Sequence, residues 1–144
     1  MDNYERLNSV LVQLFNETLE IERKYVEKSD FKDISVNDMH ILDAVGSSGA
    51  KSMSSIAKIV GVTVGTLTIA MNSLVKKGYV TRTRSEKDRR VVLVALSEKG
   101  KAAYGYHEDF HLKMVQAMRD GLDPAQCEIL VLAMTNLRNH FLKV

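Results

Sequence analysis

Residues 54–100 read SSIAKIVGVTVGTLTIAMNSLVKKGYVTRTRSEKDRRVVLVALSEKG. Two short helical patterns meet at Gly61. The first is predicted to start at an N-cap on Ser54 and end near Val60. The second starts at Thr63 and runs to Lys77, with Gly78 as its stop. Two β-type runs follow, 79–85 and 91–96, joined by a charged loop over 86–90. Ala57 supplies the small side chain that crossing helices need, and Leu67 is placed to fill the angle between them. Helix, tight turn, helix and hairpin in this order form a winged helix-turn-helix.

The rest of the chain is helical around that unit. Leu7, Val10, Leu11, Leu14, Phe15, Leu19, Ile21 and Val26 keep a helical period over about 2–27. Residues 29–33 break it. Ser35, with Asp38 three residues on, opens a second helix as a variant capping box, and 46–49 end it. Met53 is expected in a short strand. Ser97 caps a long fifth helix to about 119. Asp123-Pro124-Ala125-Gln126 is a capping box that opens the last. The fold class is mainly α with a small β-wing, in one domain over 1–144. Within it, 35–97 form the winged-helix lobe. Residues 1–30 and 98–144 are dimerisation helices, because they carry apolar positions on more than one side.

At 144 residues and 45% hydrophobic, the chain is long enough and apolar enough for a real core. No run of 18 apolar residues and no leader pattern is present, so neither membrane span nor signal peptide is expected. The single cysteine excludes an internal disulfide framework and suits a reducing cytoplasm. Net charge is only +2, so bulk charge does not point to nucleic acid. Its distribution does. Lys76, Lys77, Arg82, Arg84, Lys87, Arg89, Arg90, Lys99 and Lys101 face only Glu86, Asp88 and Glu98 over 76–101.

On a wheel of about 100° per residue, Val64, Leu67, Met71, Leu74 and Val75 of the fourth helix share the core side. The opposite side carries Gly65, Thr66, Ile69, Asn72, Ser73 and Lys76. Thr63 and Thr68 join these as candidate DNA contacts. An exposed Ile69 suits a thymine methyl, and Thr66 and Asn72 suit base edges. Asn most often reads adenine, so an A·T-rich site is expected. In the wing, Arg82 and Arg84 alternate onto one strand face. Ser85, Lys87, Asp88, Arg89 and Arg90 complete the basic loop, with Asp88 placed to orient Arg90 for a narrow minor groove. No phosphate-cradling loop or nucleophile–base motif suggests an enzyme.

Asp88-x-Arg90 followed by Val94-x-Leu96-Ser97-x-x-Gly100 resembles the wing signature of MarR-type transcriptional regulators. Ser97 replaces the usual Thr, and both cap helices. The resemblance implies a homodimeric winged-helix protein of the bacterial cytoplasm. Residues 31–35, Met39-His40, 62–66, 84–92 and 107–111 resemble more closely the fatty-acid-biosynthesis repressors of Gram-positive cocci. That likeness implies an inverted repeat in double-stranded DNA as target and acyl-acyl carrier protein as effector. The cleft near Phe31, Met39, Phe110 and Met114 is the expected seat of the acyl chain.

His107 and His111 are four apart on one helix, a spacing that can present two imidazoles to a metal. With Glu22 and His40 they look like the primary site of zinc-uptake repressors in the same family. The positions matching the second site of those repressors, Lys28, Met39 and Tyr106, cannot rebuild it. The plainer reading, core or interface histidines joined by hydrogen bonds, is preferred. Cys127 lies on the last helix and reads as a buried small apolar residue; peroxide-sensing relatives carry theirs in the first helix. The expectation is a repressor of fatty-acid synthesis genes. Its rivals are a zinc-responsive repressor and a winged-helix protein-interaction module that binds no DNA.

Overall fold

The computed structural model describes residues 2–144. Its elements run α1 (Asn3–Glu27), α2 (Val36–Val45), β1 (Lys51–Ser52), α3 (Met53–Val60), α4 (Val64–Lys76), β2 (Val80–Arg84), β3 (Val92–Leu96), α5 (Glu98–Arg119) and α6 (Pro124–Leu142). This is the mainly α fold with a small sheet that the sequence predicts. Side-chain caps fix most helix starts. Asp2 and Glu5 form a capping box on α1, Ser35 and Asp38 on α2, and Asp123 and Gln126 on α6. The first of these was not anticipated.

Two boundaries differ from expectation. Ser52, not Ser54, caps α3: its Oγ accepts from the Ser55 N–H at 3.1 Å. Met53 is not in a strand but opens α3, where its side chain is buried. The reason is pairing. Lys51 and Ser52 pair with Val94 and Leu93 of β3, so the extended segment ends at Ser52.

The sheet is antiparallel, in the order β1-β3-β2, with Arg82 opposite Val94. Helices α3 and α4 meet at 105°. Gly61 makes that turn in the left-handed conformation, φ 82°, which a side chain would strain. Ala57 and Leu67 are 3% and 1% exposed at the crossing, as the packing requires. Met39, Leu42, Val45, Ile56, Met71, Leu74, Tyr79 and Val94 complete the core beneath them.

The start of α5 is seated on the end of α4. Ser97 Oγ accepts from the Gly100 N–H at 3.1 Å and donates to the Gly78 carbonyl at 2.5 Å. A Cβ on Gly100 would lie 2.0 Å from the Tyr79 carbonyl oxygen, so only glycine permits this approach.

The chain divides into two compact units, the first ending at Glu108 and the second spanning Asp109–Val144. The dividing point falls inside α5. In the first unit, α1 exposes Leu7, Val10, Leu14, Phe15 and Leu19. In the second, α6 has no buried residue and exposes Ile129, Val131, Leu132, Met134 and Phe141. Cys127 is half-exposed rather than buried. Among the described residues no single helix is long and apolar enough to cross a membrane.

Candidate nucleic-acid interface

Helix α4 turns one side inward and leaves the other in solvent. Leu67, Met71 and Leu74 are buried, while Thr63, Gly65, Thr66, Asn72 and Lys76 are exposed. Ile69 is 76% exposed. An apolar side chain held this far into water, among small polar ones, presents a surface suited to a groove. Thr68 and Ser73 are half-buried at its edges. Val64 departs from the wheel: it is 44% exposed, because the first turn of α4 projects past the core. There it lines a shallow groove with Ser54, Thr68, Arg82, Arg84 and Arg90.

Hydroxyls on this helix are partly committed to it. The Thr63 Oγ1 caps α4 by accepting from the Thr66 N–H at 3.1 Å, and its own hydroxyl donates to Thr66 Oγ1 at 3.0 Å. The Thr68 hydroxyl donates to the Val64 carbonyl at 2.8 Å. Thr66 therefore keeps its own hydrogen for another acceptor, and Thr68 does not.

The wing is organised by its arginines. Arg90 grips Asp88 with two parallel bonds, Nε to Oδ1 at 3.0 Å and Nη2 to Oδ2 at 3.1 Å. These bonds hold the Asp88 carboxyl below the usual carboxylate range. The Arg90 side chain itself stays 90% exposed, so the pair orients a cation without covering it. Arg84 Nη1 donates to the Arg89 carbonyl at 2.9 Å. Arg82 Nη1 donates to Asn72 Oδ1 at 2.6 Å, tying the wing strand to α4. The sequence gives no sign of that last bond. Lys87 and Arg89 are exposed, and Ser85 is half-buried.

A second cluster lies inside the first unit, where α1, α2 and α5 supply one acid or base each, and α2 supplies a second acid. His107 Nε2 lies 2.5 Å from Glu22 Oε1, and its Nδ1 lies 2.7 Å from Asp43 Oδ2. His40 Nε2 reaches the same Glu22 oxygen at 3.0 Å. Asp43, which sequence reasoning missed, comes first among the causes that raise the His107 pKa; burial opposes it, and Glu22 adds to it. Burial acts on Glu22 in the opposite sense to its partners, but bonds to His107 and His40 hold its carboxyl low. Every buried side-chain polar atom among the described residues has a partner. Three of the four candidate metal ligands thus converge as the preferred hydrogen-bonded set. His111 lies in the second unit.

The expected acyl seat is altered by packing. Met39 has no exposed surface and belongs to the core. Phe31 stands edge-on to Tyr79 and Tyr106, at 6.3 and 6.1 Å between ring centres. Both are core-forming groups rather than the walls of an open cleft. Phe110 and Met114 are in the second unit, half-buried and exposed. A further link was also missed. The Tyr79 hydroxyl donates to Asp33 Oδ1 at 2.5 Å, and Lys99 Nζ sits 4.4 Å over the Tyr79 ring. Burial and the bond to Asp33 push the Tyr79 phenol pKa up.

The MarR family model matches residues 34–92. Streptococcus pneumoniae FabT, solved in complex with DNA, is 38% identical, covers 98% of this chain and 99% of its own, and superposes with a TM-score of 0.86. The chain belongs to the MarR family. Membership places it among MarR-type DNA-binding transcriptional regulators and not among enzymes. The HTH-type transcriptional regulator SarZ of Staphylococcus aureus is 35% identical over 83 residues, 58% of this chain and 56% of SarZ. YfiV of Bacillus subtilis is 34% identical over 87 residues, 60% of this chain and 54% of its own. The match thus spans about half the length of these curated relatives. A MarR mutant from E. coli, complexed with operator DNA, shares the fold at 21% identity and a TM-score of 0.67, covering 95% of this chain and 99% of its own. Helix α4 stands where the sequence leads one to expect the DNA-reading helix, and β2, β3 and their loop form the hairpin expected as the wing.

Proposed function

We propose that this chain is a homodimeric repressor of fatty-acid-biosynthesis genes, whose hold on DNA is strengthened by acyl-acyl carrier protein. The observation that carries the reading is its end-to-end likeness to FabT, 38% identical over 98% of the chain. The segments at 31–35, 62–66 and 84–92, which resemble fatty-acid-biosynthesis repressors, add to it. Exposed apolar side chains on α1 and on α6 support a dimer, since single soluble chains rarely leave such stripes in water. A two-fold dimer sets its two α4 helices into successive major grooves, about 34–36 Å apart, and so asks for an inverted repeat. Exposed arginines at 84, 89 and 90 and Lys87 supply the backbone and minor-groove contacts.

The test is a gel-shift titration on promoter fragments of lipid-synthesis genes, with carrier protein either acylated or bare. Tighter binding with the acylated form alone is expected. Equal affinity with both forms removes the acyl effector, and binding no tighter than to random DNA removes the target genes.

The second reading is a zinc-responsive repressor, favoured by the meeting of Glu22, His40 and His107. One oxygen and two imidazoles are donors that zinc accepts. Metal analysis of the purified protein, with operator affinity measured with and without zinc, separates the two readings. No retained metal and no change in affinity remove the second.

A further inference from the structure

We propose that Arg82 determines which hydrogen-bonding groups the recognition helix offers to DNA, by holding the side-chain oxygen of Asn72. This rests on the reading of α4 as the base-contacting helix. A guanidinium carries only donors, so the Asn72 atom 2.6 Å from Arg82 Nη1 must be the amide oxygen. The chemistry of the partner therefore fixes the amide orientation. An Asn with both ends available reads adenine in two bonds, accepting from N6 and donating to N7. The oxygen keeps a second lone pair, but its bond to Arg82 turns it toward β2, so the groups Asn72 offers a base without breaking that bond are its N–H groups. Those match acceptors: guanine O6 and N7, or thymine O4.

Both partners are anchored from behind. Asn72 lies next to Met71 and two residues before Leu74, both fully buried, so α4 cannot rotate to release it. Arg82 pairs across the sheet with Val94, also fully buried, which pins the strand register. Both side chains remain exposed. The bond is thus set before DNA arrives, and the wing edits what the helix can read. Arg82 differs in this from Arg84 and Arg90, whose bonds to the Arg89 carbonyl and the Asp88 carboxylate stay within the wing loop.

The test is sequence selection from a random duplex pool, followed by competition binding with every single-base variant of the selected site. Wild-type, Arg82→Ala, Asn72→Ala and the double variant are compared. The position read by Asn72 is the one whose preference Asn72→Ala flattens. At that position the wild type is expected to prefer guanine or thymine, and Arg82→Ala is expected to shift preference toward adenine by roughly tenfold. The double variant should match Asn72→Ala in preference. A wild-type preference for adenine there overturns the proposal. So does an Arg82→Ala variant that binds all sites more weakly with unchanged preferences, which is the mark of a phosphate contact. Wild-type protein that selects no sequence overturns the base-reading role of α4, and the proposal with it.

Discussion

Ile69 stands on the outer side of α4 with 76% of its surface in water, whereas His107, on α5, has none. Around Ile69 the exposed side chains are mostly small, with Thr66 bonded to Thr63 and Asn72 to Arg82, and the Ile69 side chain itself stays bare. Around His107, Glu22 and Asp43 take both ring nitrogens, and His40 shares the Glu22 oxygen. The first region leaves surface uncovered for a partner. The second consumes its polarity internally and joins α1, α2 and α5. Polar residues of the same general kinds thus do opposite work, and burial with pairing tells which.

That contrast is broken most easily at the buried end. His107→Ala leaves Glu22 and Asp43 short of a partner, and breaking a buried charged network costs about 3–5 kcal/mol. Urea unfolding should show a loss of this order; unchanged stability would mean the cluster is no joint. Arg90→Ala, on the open surface, should leave unfolding within about 0.5 kcal/mol of wild type. Its operator affinity should fall by about 1.5–3 kcal/mol, the worth of a hydrogen bond to a charged group. A gel shift that finds affinity intact would remove the wing from the interface.

Protonation acts on the buried region. The His107 pKa is raised from 6.5 by folding, so the folded protein holds that proton more tightly. The resulting stability is full below about 6.5 and is lost as pH rises through the raised value. Glu22 works in the other direction: its contribution is present above 4.5 and lost as pH falls through its lowered value. Thermal melts of wild type against His107→Gln should therefore converge as pH rises through the raised His107 value. Parallel melting curves would contradict the charged pair. The smallest effect is expected at Cys127, half-exposed on α6. Cys127→Ser should change operator affinity less than twofold, with or without peroxide, and a larger peroxide response would reveal a redox sensor.

Much of α4 and the wing was legible because their determinants are local. Thr63, Leu67, Met71 and Leu74 follow one helix period, and Asp88 lies two residues from Arg90. Val64 was misread because a wheel ignores that the first turn of α4 projects beyond the core. Ser52 and Ser54 are equally good caps by type, and only the pairing of Ser52 with Leu93 decides between them. The buried joint was half legible. The histidines stood out by spacing, but Asp43 meets His107 across 64 residues of chain, a separation no local pattern records. The Arg82–Asn72 bond is hidden for a related reason, since strand register and helix rotation must both be known before it can be seen.

On this reading α4 and the arginine-rich wing together form a DNA-binding surface. It is tested most directly by measuring operator affinity of the wild type and Arg90→Ala across a series of salt concentrations. Log affinity should fall linearly with log salt, by about 0.9 per phosphate neutralised, and less steeply for Arg90→Ala. A flat response in the wild type would contradict it.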